Sequence, residues 1–473
     1  MSYIGNTAQN QTFVAAIDYF SGNGSTTAFT LSKPVASVAQ VQVVVNNVAQ
    51  NPSTAFTVSS NTITFTGAPT SGSNNIYVYY TSPITQTIAP SAGTVQSNSI
   101  ASGGPTWDAN GNVSTFNGAN INAGNTFSMK NRLINGNMTI DQRNAGASLS
   151  IPAATAYTVD RWAAYASQAS KISVQQNAGG VTPPTGFSNY VGVTVGAAAN
   201  VTLGAADVFQ FYQNLEGYNV ADLAWGTVSA SPLALSFWVR SSLTGTFSGA
   251  AYLSAASFPF QYTINSANTW EFKTISISAS TAYTLNSTTS AAGVTLTFDL
   301  GAGSNYLGTA GAWTGSVKVK TTGSVSLVTT NSATFYITGV QLEKGSIATP
   351  FDFRSIGTEL SLCQRYCYVM GRADLYNELG LGVCATTTNA QIAINLPVPM
   401  RTTPTAITTS GNFQVSDFFN ATAITAFSVP ANQNSPNILS VQATVASGLT
   451  QFRPIRVESN NSTASYAIIS TEL

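Results

Sequence analysis

Hydrophobic and polar residues alternate along most of this chain with a period of two. TITFT at 62–66 is one such segment, and IYVYY at 76–80 follows it after a loop of Gly, Pro, Ser and Asn. Successive side chains of a strand point to opposite faces of its sheet, so this period indicates half-buried β-strands. Short strands separated by turn residues are typical of a β-sandwich, and we predict a first β-domain of this kind at 1–83.

The same pattern continues through residues 129–353, a range long enough for one large sandwich. In the stretch ALSFWVR, the apolar residues Leu235 and Phe237 point to one face of the strand. Trp238 and Arg240 point to the opposite face. This arrangement is typical of an antiparallel strand with one buried side and one solvated side.

A single segment, at 355–369, has the spacing of a helix. Its apolar positions recur three or four residues apart, at Leu360, Cys363, Tyr366 and Cys367. We therefore predict a short amphipathic helix within a connector at 354–369, beginning near Ser355 or Thr358. Strand patterns return in residues 370–473, which we predict to be a C-terminal β-domain, so the fold class is all-β.

Residues 84–128 differ from their surroundings because Ser, Thr, Asn, Gly, Ala and Pro dominate them. One interpretation is a flexible linker. The other is an extended neck that packs against identical segments of other copies, as in a fibrous trimer. Trp107, Phe116 and Phe127 favour the neck, because large apolar side chains are costly to leave in water. The predicted architecture is a series of sandwich or jelly-roll domains joined by this neck.

Composition narrows the function classes. The chain has no histidine, and only 7% of its residues are charged. Histidine is the commonest general base near neutral pH and a frequent zinc ligand, so its absence excludes Ser-His-Asp systems, Cys-His systems and His-ligated zinc. A glycosidase needs only two carboxylates, but the 17 acidic residues are scattered singly along the chain. We therefore predict no catalytic residues and no enzyme activity.

Charge and hydropathy also bear on the partners. The 17 basic and 17 acidic residues balance, and no cluster of Lys and Arg is present to neutralise a track of phosphates. No apolar run approaches the roughly 18 residues that a membrane span needs. The first residues, MSYIGNTAQNQT, lack the basic and apolar regions of a secretory signal. Nucleic acid, membrane insertion and a signal peptide are therefore not expected.

Three cysteines, Cys363, Cys367 and Cys384, are the remaining candidates for metal or redox chemistry. An odd count without a secretory signal argues against a disulfide framework. A metal site would need further ligands, and the chain offers neither histidine nor a fourth cysteine. We predict buried free thiols, no metal site and no cofactor, with metal or redox use as the alternative.

Two longer stretches are similar to a known pattern. MKNRLINGNMTIDQRNAGASLSIPAATAYTVDRWAAY at 129–165 resembles the opening of a sandwich module of bacteriophage tail fibres and related virion proteins. FYITGVQLEKGSIATPFDFRSIGTELSLCQRYCYVM at 335–370 resembles the close of that module and the helix after it. The two stretches bracket about half of the chain. The module itself resembles the jelly-roll carbohydrate-binding modules, and the segments within 1–83 resemble virion fibre domains that dock onto the particle.

This resemblance implies partners and a location. It implies an elongated homotrimer in the virion, made in the host cytoplasm, whose N-terminal domain contacts a baseplate, tail or adaptor protein. The C-terminal end would then bind a host surface glycan or outer-membrane component. Related jelly rolls often hold a structural calcium ion near the GVQLE strand, but Gly339 and Val340 carry no carboxylate, although Glu343 and Asp352 lie close by. Calcium is therefore an open alternative that the sequence does not support.

Candidate ligand-binding residues follow from the chemistry of sugars, which present C–H faces to aromatic rings and hydroxyl edges to polar groups. Trp238 and Arg240 on an outward strand face are one candidate pair, and packing under a loop or against another subunit is the alternative. At the predicted distal end, a second set stands out from a Thr, Ser and Ala background: Tyr376, Asn377, Asp417, Phe418, Phe419 and Arg453. The alternative for this second set is to seal a trimer axis.

The leading hypothesis is a phage tail fibre that binds a host receptor through its C-terminal domains as a trimer. The first alternative is a structural virion protein without a receptor, such as a head fibre, collar or whisker. A capsule-degrading enzyme is a further alternative. Such depolymerases are usually β-helices, and the chain shows no repeat of 20–50 residues that would build one.

Overall fold

A computed structural model describes residues 16–81, 129–372, 375–417 and 419–473, together with the backbone of three short strands between 106 and 120. The chain forms two compact units, residues 1–100 and 101–473. Strands dominate the described residues, which confirms the predicted all-β class. No helix among the described residues is long and apolar enough to cross a membrane.

The first unit contains six described strands in two antiparallel sheets. The strands are β1 (Ile17–Gly22), β2 (Ala28–Val35), β3 (Val41–Val45), β4 (Val48–Ala49), β5 (Phe56–Phe65) and β6 (Gly72–Tyr80). One sheet has the order β1-β6-β3-β4, and β2 pairs with β5. Asn46 and Asn47 both have positive φ, as a tight two-residue hairpin turn requires, and they set the register of β3 against β4. Apolar side chains of both sheets, such as Ile63 and Val78, form its buried core.

Most of the predicted neck at 84–128 lies outside the described residues. The backbone within it forms three short strands, β7 (Thr106–Trp107), β8 (Val113–Phe116) and β9 (Ala119–Asn120). They pair in sequence order as an antiparallel sheet. The assignment of this segment as a neck stays a prediction.

The following residues build a two-sheet β-sandwich. Its strands are β10 (Leu149–Ser150), β11 (Thr155–Tyr157), β12 (Ala163–Ala166), β13 (Ile172–Gln176), β14 (Val191–Val195), β15 (Val208–Glu216), β16 (Leu233–Ser241), β17 (Gly245–Tyr252), β18 (Ser257–Ile264), β19 (Glu271–Ile277), β20 (Ala292–Ala302), β21 (Leu307–Gly308), β22 (Lys320–Thr321) and β23 (Thr334–Lys344). The first sheet has the order β10-β13-β14-β23-β16-β19, and the second has β11-β12-β15-β20-β17-β18. The short strands β21 and β22 form a separate parallel pair.

Alternating side chains of both sheets meet in the sandwich core. Phe237 of β16 contacts Phe298 and Tyr262 edge-on from the facing sheet, with ring centroids 5.0 Å apart in each case. Trp162 stacks flat on Phe211 at the same separation. Burying one such side chain contributes about 1.5–3 kcal/mol, and cutting Phe237 to Ala would cost about 3–5 kcal/mol through the cavity it leaves.

The predicted helix is present but shorter than expected. It spans α1 (Ile356–Gln364) with Ser355 as its N-cap residue, so the predicted start is confirmed. The predicted end at residue 369 is wrong, because the chain turns at Arg365 and enters a strand at Cys367. Sequence periodicity missed this end because Tyr366 and Cys367 are apolar at helical spacing. Both are buried, but only after the turn. Short 3-10 helices occupy Val38–Gln40, Ala178–Gly180, Gly217–Leu223, Ser304–Tyr306 and Leu327–Thr329.

A closed barrel follows the helix. The strands of this part are β24 (Cys367–Gly371), β25 (Glu378–Cys384), β26 (Asn389–Asn395), β27 (Thr408–Ser410), β28 (Phe413–Ser416), β29 (Ala421–Ser428), β30 (Ile438–Val445), β31 (Pro454–Ser459) and β32 (Tyr466–Ser470). The barrel order is β25-β26-β30-β29-β28-β31, beside a small sheet β24-β32-β27. All three cysteines are buried thiols, as predicted, and burial raises the pKa of each.

Candidate functional site

The outer face of the second sheet forms a cleft of about 430 Å³, within the size range of small-ligand sites. Residues of β11, β12, β15, β17 and β20 line it from the sheet, and the segment 306–319 contributes further lining residues. The lining residues are Thr155, Tyr165, Val208, Gln210, Tyr212, Asn214, Tyr252, Leu253, Ser254, Ala292, Gly293, Thr295, Tyr306, Val317 and Val319.

The strand period explains why these side chains meet. On β15, Phe209 and Phe211 belong to the buried core between the sheets. The residues between and after them, Gln210, Tyr212 and Asn214, therefore point to the outer face and into the cleft. At alternate positions, β15 therefore supplies an amide, a phenol and a second amide to the cleft.

Four tyrosines dominate the cleft. The Tyr212 hydroxyl lies 3.0 Å from the hydroxyl of Thr155. Burial raises the pKa of Tyr212, and it raises the pKa of Tyr252 to about 12 against the opposing effect of hydrogen bonds with Thr295 and Gln210. At neutral pH both phenols are therefore protonated and able to donate a hydrogen bond.

Hydrogen bonds fix the two amides on the cleft floor. The Thr297 hydroxyl donates to Oε1 of Gln210 over 3.1 Å, and the Thr295 hydroxyl donates to Oδ1 of Asn214 over 2.6 Å. Asn214 in turn donates from Nδ2 to the main-chain oxygen of Leu473 over 3.0 Å. These bonds hold both amide planes in fixed orientations, as a site that recognises hydroxyl groups requires.

Three further hydroxyls in the cleft are free to bind a ligand. The hydroxyls of Tyr165, Ser254 and Tyr306 make no hydrogen bond to any residue that the structure describes. An apolar cluster that includes Val208 and Val319 packs against the tyrosine rings. The cleft therefore combines aromatic and aliphatic surface with hydroxyl and amide groups, which suits a ligand with both C–H faces and hydroxyl edges.

A buried ion-pair network lies directly behind this cleft. Arg161 pairs with Glu472, and its Nη2 donates to the main-chain oxygen of Asn214 over 2.6 Å. The guanidinium also lies 3.5 Å above the ring of Tyr366. Arg143 donates to the other oxygen of Glu472 over 3.2 Å. Residues next to the last strand, β32, are thereby tied to the backbone that carries Asn214.

Trp238 and Arg240 lie on the outer face of the other sheet. The Trp238 ring centroid is 5.4 Å from that of Phe272, and the rings are tilted by 51°. The Nε of Arg240 donates to the main-chain oxygen of Asn268 over 2.8 Å, and its guanidinium lies over the ring of Tyr336. The pair is half-buried and held by internal contacts. Its role in ligand binding stays a prediction.

Asp417, Phe419 and Arg453 meet at one end of the barrel, and we call these three residues the barrel tip. Nη1 of Arg453 donates to Asp417 over 2.5 Å, and the backbone N–H groups of Phe419 and Asn420 donate to the other carboxylate oxygen. These contacts, with Arg453 first, lower the pKa of Asp417 to about 2. Phe419 is 86% exposed. Phe418 lies outside the described residues.

Tyr376 and Asn377 lie at the opposite end of the barrel. The backbone N–H of Asn377 donates to Oγ of Ser459 over 2.7 Å. Ser459 is the last residue of β31, whereas Arg453 precedes its first residue, Pro454. Five residue steps of about 3.3 Å separate these ends by about 17 Å. The structure therefore does not bring the five described residues of the predicted barrel set together in one site.

Sequence reasoning missed the cleft residues. One signal was present in FQFYQN at 209–214, where polar and aromatic residues alternate with core phenylalanines. The remaining lining residues come singly from separate segments, and only the sheet order brings them together. No Asp or Glu in the described part of the chain lines the cleft, so this lining offers no carboxylate pair for acid–base chemistry.

The carboxylates that were considered for calcium accept hydrogen bonds from protein groups. Oε1 and Oε2 of Glu343 accept hydrogen bonds from Gln341 and Thr349. Asp352 accepts from the backbone N–H of Lys130 over 2.9 Å. The ammonium of Lys130 itself donates to Thr349, occupying an oxygen that a cation would use. No group of three or more potential metal ligands occurs among the residues described.

The fold places this part of the chain among the two-sheet β-sandwiches. No protein-family model matches the sequence, and the search of curated proteins found no match. The enzymatically active domain of tailspike protein 4 from bacteriophage CBA120 is similar over 46% of this chain and 21% of its own, with 13% identity and a TM-score of 0.24. The similar region thus covers about a fifth of that tailspike domain.

Two solved carbohydrate-binding structures are also similar. The family 11 carbohydrate-binding module from Clostridium thermocellum, in complex with a mixed-linked tetrasaccharide, aligns over 41% of this chain and 97% of its own, with 12% identity and a TM-score of 0.23. The tandem CBM22 domain of Paenibacillus barcinonensis Xyn10C aligns over 70% and 100%, with 11% identity and a TM-score of 0.19. Similarities this low do not determine what the cleft binds.

Proposed function

We propose that this protein is a phage tail fibre that binds a host surface glycan in the cleft on the second sheet. The observation that carries the proposal is the cleft itself, where Tyr212, Tyr252 and Tyr306 stand beside the fixed amides of Gln210 and Asn214. Aromatic faces match the C–H faces of a pyranose, and amides and hydroxyls match its hydroxyl edges.

The tail-fibre part of the proposal rests on the two sequence stretches at 129–165 and 335–370. In this proposal the chain assembles as a homotrimer, and the first unit attaches it to a baseplate, tail or adaptor protein. Three clefts on one fibre then engage the host together. Tethering raises the effective concentration of the second and third sites, so avidity exceeds single-site affinity by about 10²–10⁴.

The test is direct binding of the full chain to an array of oligosaccharides, followed by calorimetric titration of the best ligand. Tyr252→Ala should weaken that ligand by about 10–100-fold, which corresponds to about 1.4–2.7 kcal/mol. Phe419→Ala is the matched control, because it removes an exposed aromatic at the barrel tip. It should leave the affinity unchanged.

The outcomes separate the competing functions. Glycan binding that survives Tyr252→Ala and Tyr212→Ala would refute the cleft as the site. Absence of any glycan binding, with unimpaired phage adsorption in the presence of saturating protein, would favour a structural virion protein such as a head fibre, collar or whisker. Release of oligosaccharides from a host polysaccharide would point to a depolymerase, and none is expected.

A further inference from the structure

Among the residues that the structure describes, the cleft has no charged side chain. None of the fifteen residues that line it is Asp, Glu, Lys or Arg. Its polar groups are phenols, aliphatic hydroxyls and amides, such as Tyr306, Ser254 and Gln210. All of these are neutral at physiological pH.

Lysines next to the cleft are directed away from it. Val317 and Val319 line the cleft, and the lysines that alternate with them are absent from its lining. The ammonium of Lys318 donates to the main-chain oxygen of Asn305 over 2.5 Å. That of Lys320 donates to the main-chain oxygen of Ala302 and to Ser326, each over 2.8 Å. Both cations are therefore held by protein oxygens outside the cleft.

The nearby carboxylates are also satisfied internally. Asp207, next to Val208 in sequence, accepts hydrogen bonds from Ser167, Gln168 and the backbone N–H of Gly204. Asp299 of β20 is buried and accepts from Ser248 and the backbone N–H of Gly301. Neither carboxylate lines the cleft.

A charged ligand group would be poorly accommodated in such a site. A carboxylate, phosphate or sulfate entering the cleft would lose part of its hydration without gaining a cation, and burial of an unpaired charge is strongly unfavourable. Hydroxyl groups lose much less, because neutral donors and acceptors of the cleft replace their water. We propose that the cleft selects neutral oligosaccharides and discriminates against acidic ones, an inference that rests on the proposed function.

The experiment compares pairs of oligosaccharides that differ at one position, a hexose in one member and the corresponding hexuronic acid in the other. Calorimetric titration of the full chain should show binding of the neutral member and at least about tenfold weaker binding of the acidic one. The discrimination should be unchanged between 50 and 300 mM salt, since it does not arise from long-range charge. Tyr252→Ala should weaken binding of the preferred member by about 10–100-fold.

A gain-of-function variant makes the test sharper. Ser254 is exposed at the edge of the cleft, so Ser254→Arg adds a guanidinium there without disturbing the core. It should raise the affinity for the acidic member by about tenfold, whereas the size control Ser254→Gln should not. If the acidic member binds equally well or more tightly and Tyr252→Ala weakens that binding, the neutral preference is overturned and the proposed function stands. If Tyr252→Ala leaves the binding of either member unchanged, both the neutral preference and the proposed function are overturned.

Discussion

The cleft on the sandwich and the barrel tip both present aromatic and polar side chains, but they differ in how those groups are paired. At the barrel tip, the carboxylate of Asp417 is fully engaged by Arg453 and two backbone N–H groups, and Phe419 extends alone into solvent. In the cleft, internal hydrogen bonds orient the amides while hydroxyls such as that of Tyr306 remain available.

This difference shows why conspicuous residues are a poor guide to a binding site. The motif at 417–419 is prominent in a Thr- and Ser-rich background. Its carboxylate, however, accepts backbone hydrogen bonds within the hairpin turn between β28 and β29. Most cleft residues are unremarkable in sequence, and the site arises when five strands bring them to one concave face. Concave shape and unused hydrogen-bonding capacity favour the cleft as a ligand site.

The largest expected effect is on the free energy of unfolding, and it compares the ion pairs behind the cleft with the ion pair at the barrel tip. Glu472→Ala leaves the buried guanidinium of Arg161 without its carboxylate, and Arg143 loses the same partner. We expect a loss of about 3–5 kcal/mol in the free energy of unfolding, measured by denaturant titration. Arg453→Ala at the barrel tip removes a partly exposed pair and should cost less than about 1 kcal/mol. Equal losses would show that the network behind the cleft is not a stability centre.

The second effect decides between the two regions as ligand sites. Ala292 is exposed and lines the cleft, and Ala292→Trp should fill it and weaken glycan binding by about 100-fold, or about 2.7 kcal/mol. Ala421→Trp is the matched variant, because Ala421 is an exposed first strand residue paired with Ser416 near the barrel tip. It should leave affinity unchanged. If Ala421→Trp weakened glycan binding in the titration and Ala292→Trp did not, the binding site would lie at the barrel tip instead.

Sequence pattern alone predicted the strands better than it predicted their assembly. The alternation around Trp238 placed a strand that the structure shows as β16, and it correctly assigned Phe237 to the core. Barrel closure could not be predicted, because the pairing of β25 with β31 joins residues about 75 positions apart. The end of α1 was missed because apolar residues continue at helical spacing beyond Arg365, although the helix itself ends there.

The site was harder to predict than the fold for a physical reason. Periodicity assigns a residue to a face, but it does not tell whether that face is open or covered. Trp238 and Gln210 both point outward from their sheets, but Gln210 lines the cleft whereas the Trp238 ring packs beside that of Phe272. Which outward face becomes concave depends on distant segments such as Val317 and Val319, whose position no local pattern reports.

The third effect contrasts two carboxylates through their pH dependence. Burial raises the pKa of Asp299, beside the cleft, to about 7, whereas Arg453 lowers that of Asp417 to about 2. The folded state therefore binds a proton at Asp299 more tightly than the unfolded chain does. Stability contributed by this proton is complete below about pH 4 and is lost as pH rises through about 7.

Asp299→Asn should therefore reduce the loss of unfolding free energy between pH 5 and pH 8 by on the order of 2 kcal/mol, because the neutral amide does not ionise, and the decrease in Tm over this range should become smaller. Some decrease will remain, because burial also raises the pKa of Asp160, to about 6. Asp417→Asn should shift Tm equally at both pH values, since Asp417 is ionised throughout this range in both states. Calorimetry of the unsubstituted protein and the two variants at pH 5 and pH 8 measures these Tm changes. If Tm of Asp299→Asn fell as much between the two pH values as that of the unsubstituted protein, the prediction would be contradicted.

The smallest effect tests whether the exposed aromatic of the barrel tip has any role within a single chain. Phe419 is 86% exposed, so its ring gains little from folding, and Phe419→Ser should change the free energy of unfolding by less than about 0.5 kcal/mol. Glycan affinity measured by titration should also be unchanged. A large loss of stability at high protein concentration would instead mean that another copy of the chain covers this ring, since an exposed side chain stabilises a fold only when a partner buries it. The loss would then grow smaller at low protein concentration, where assembly no longer contributes to the measured stability.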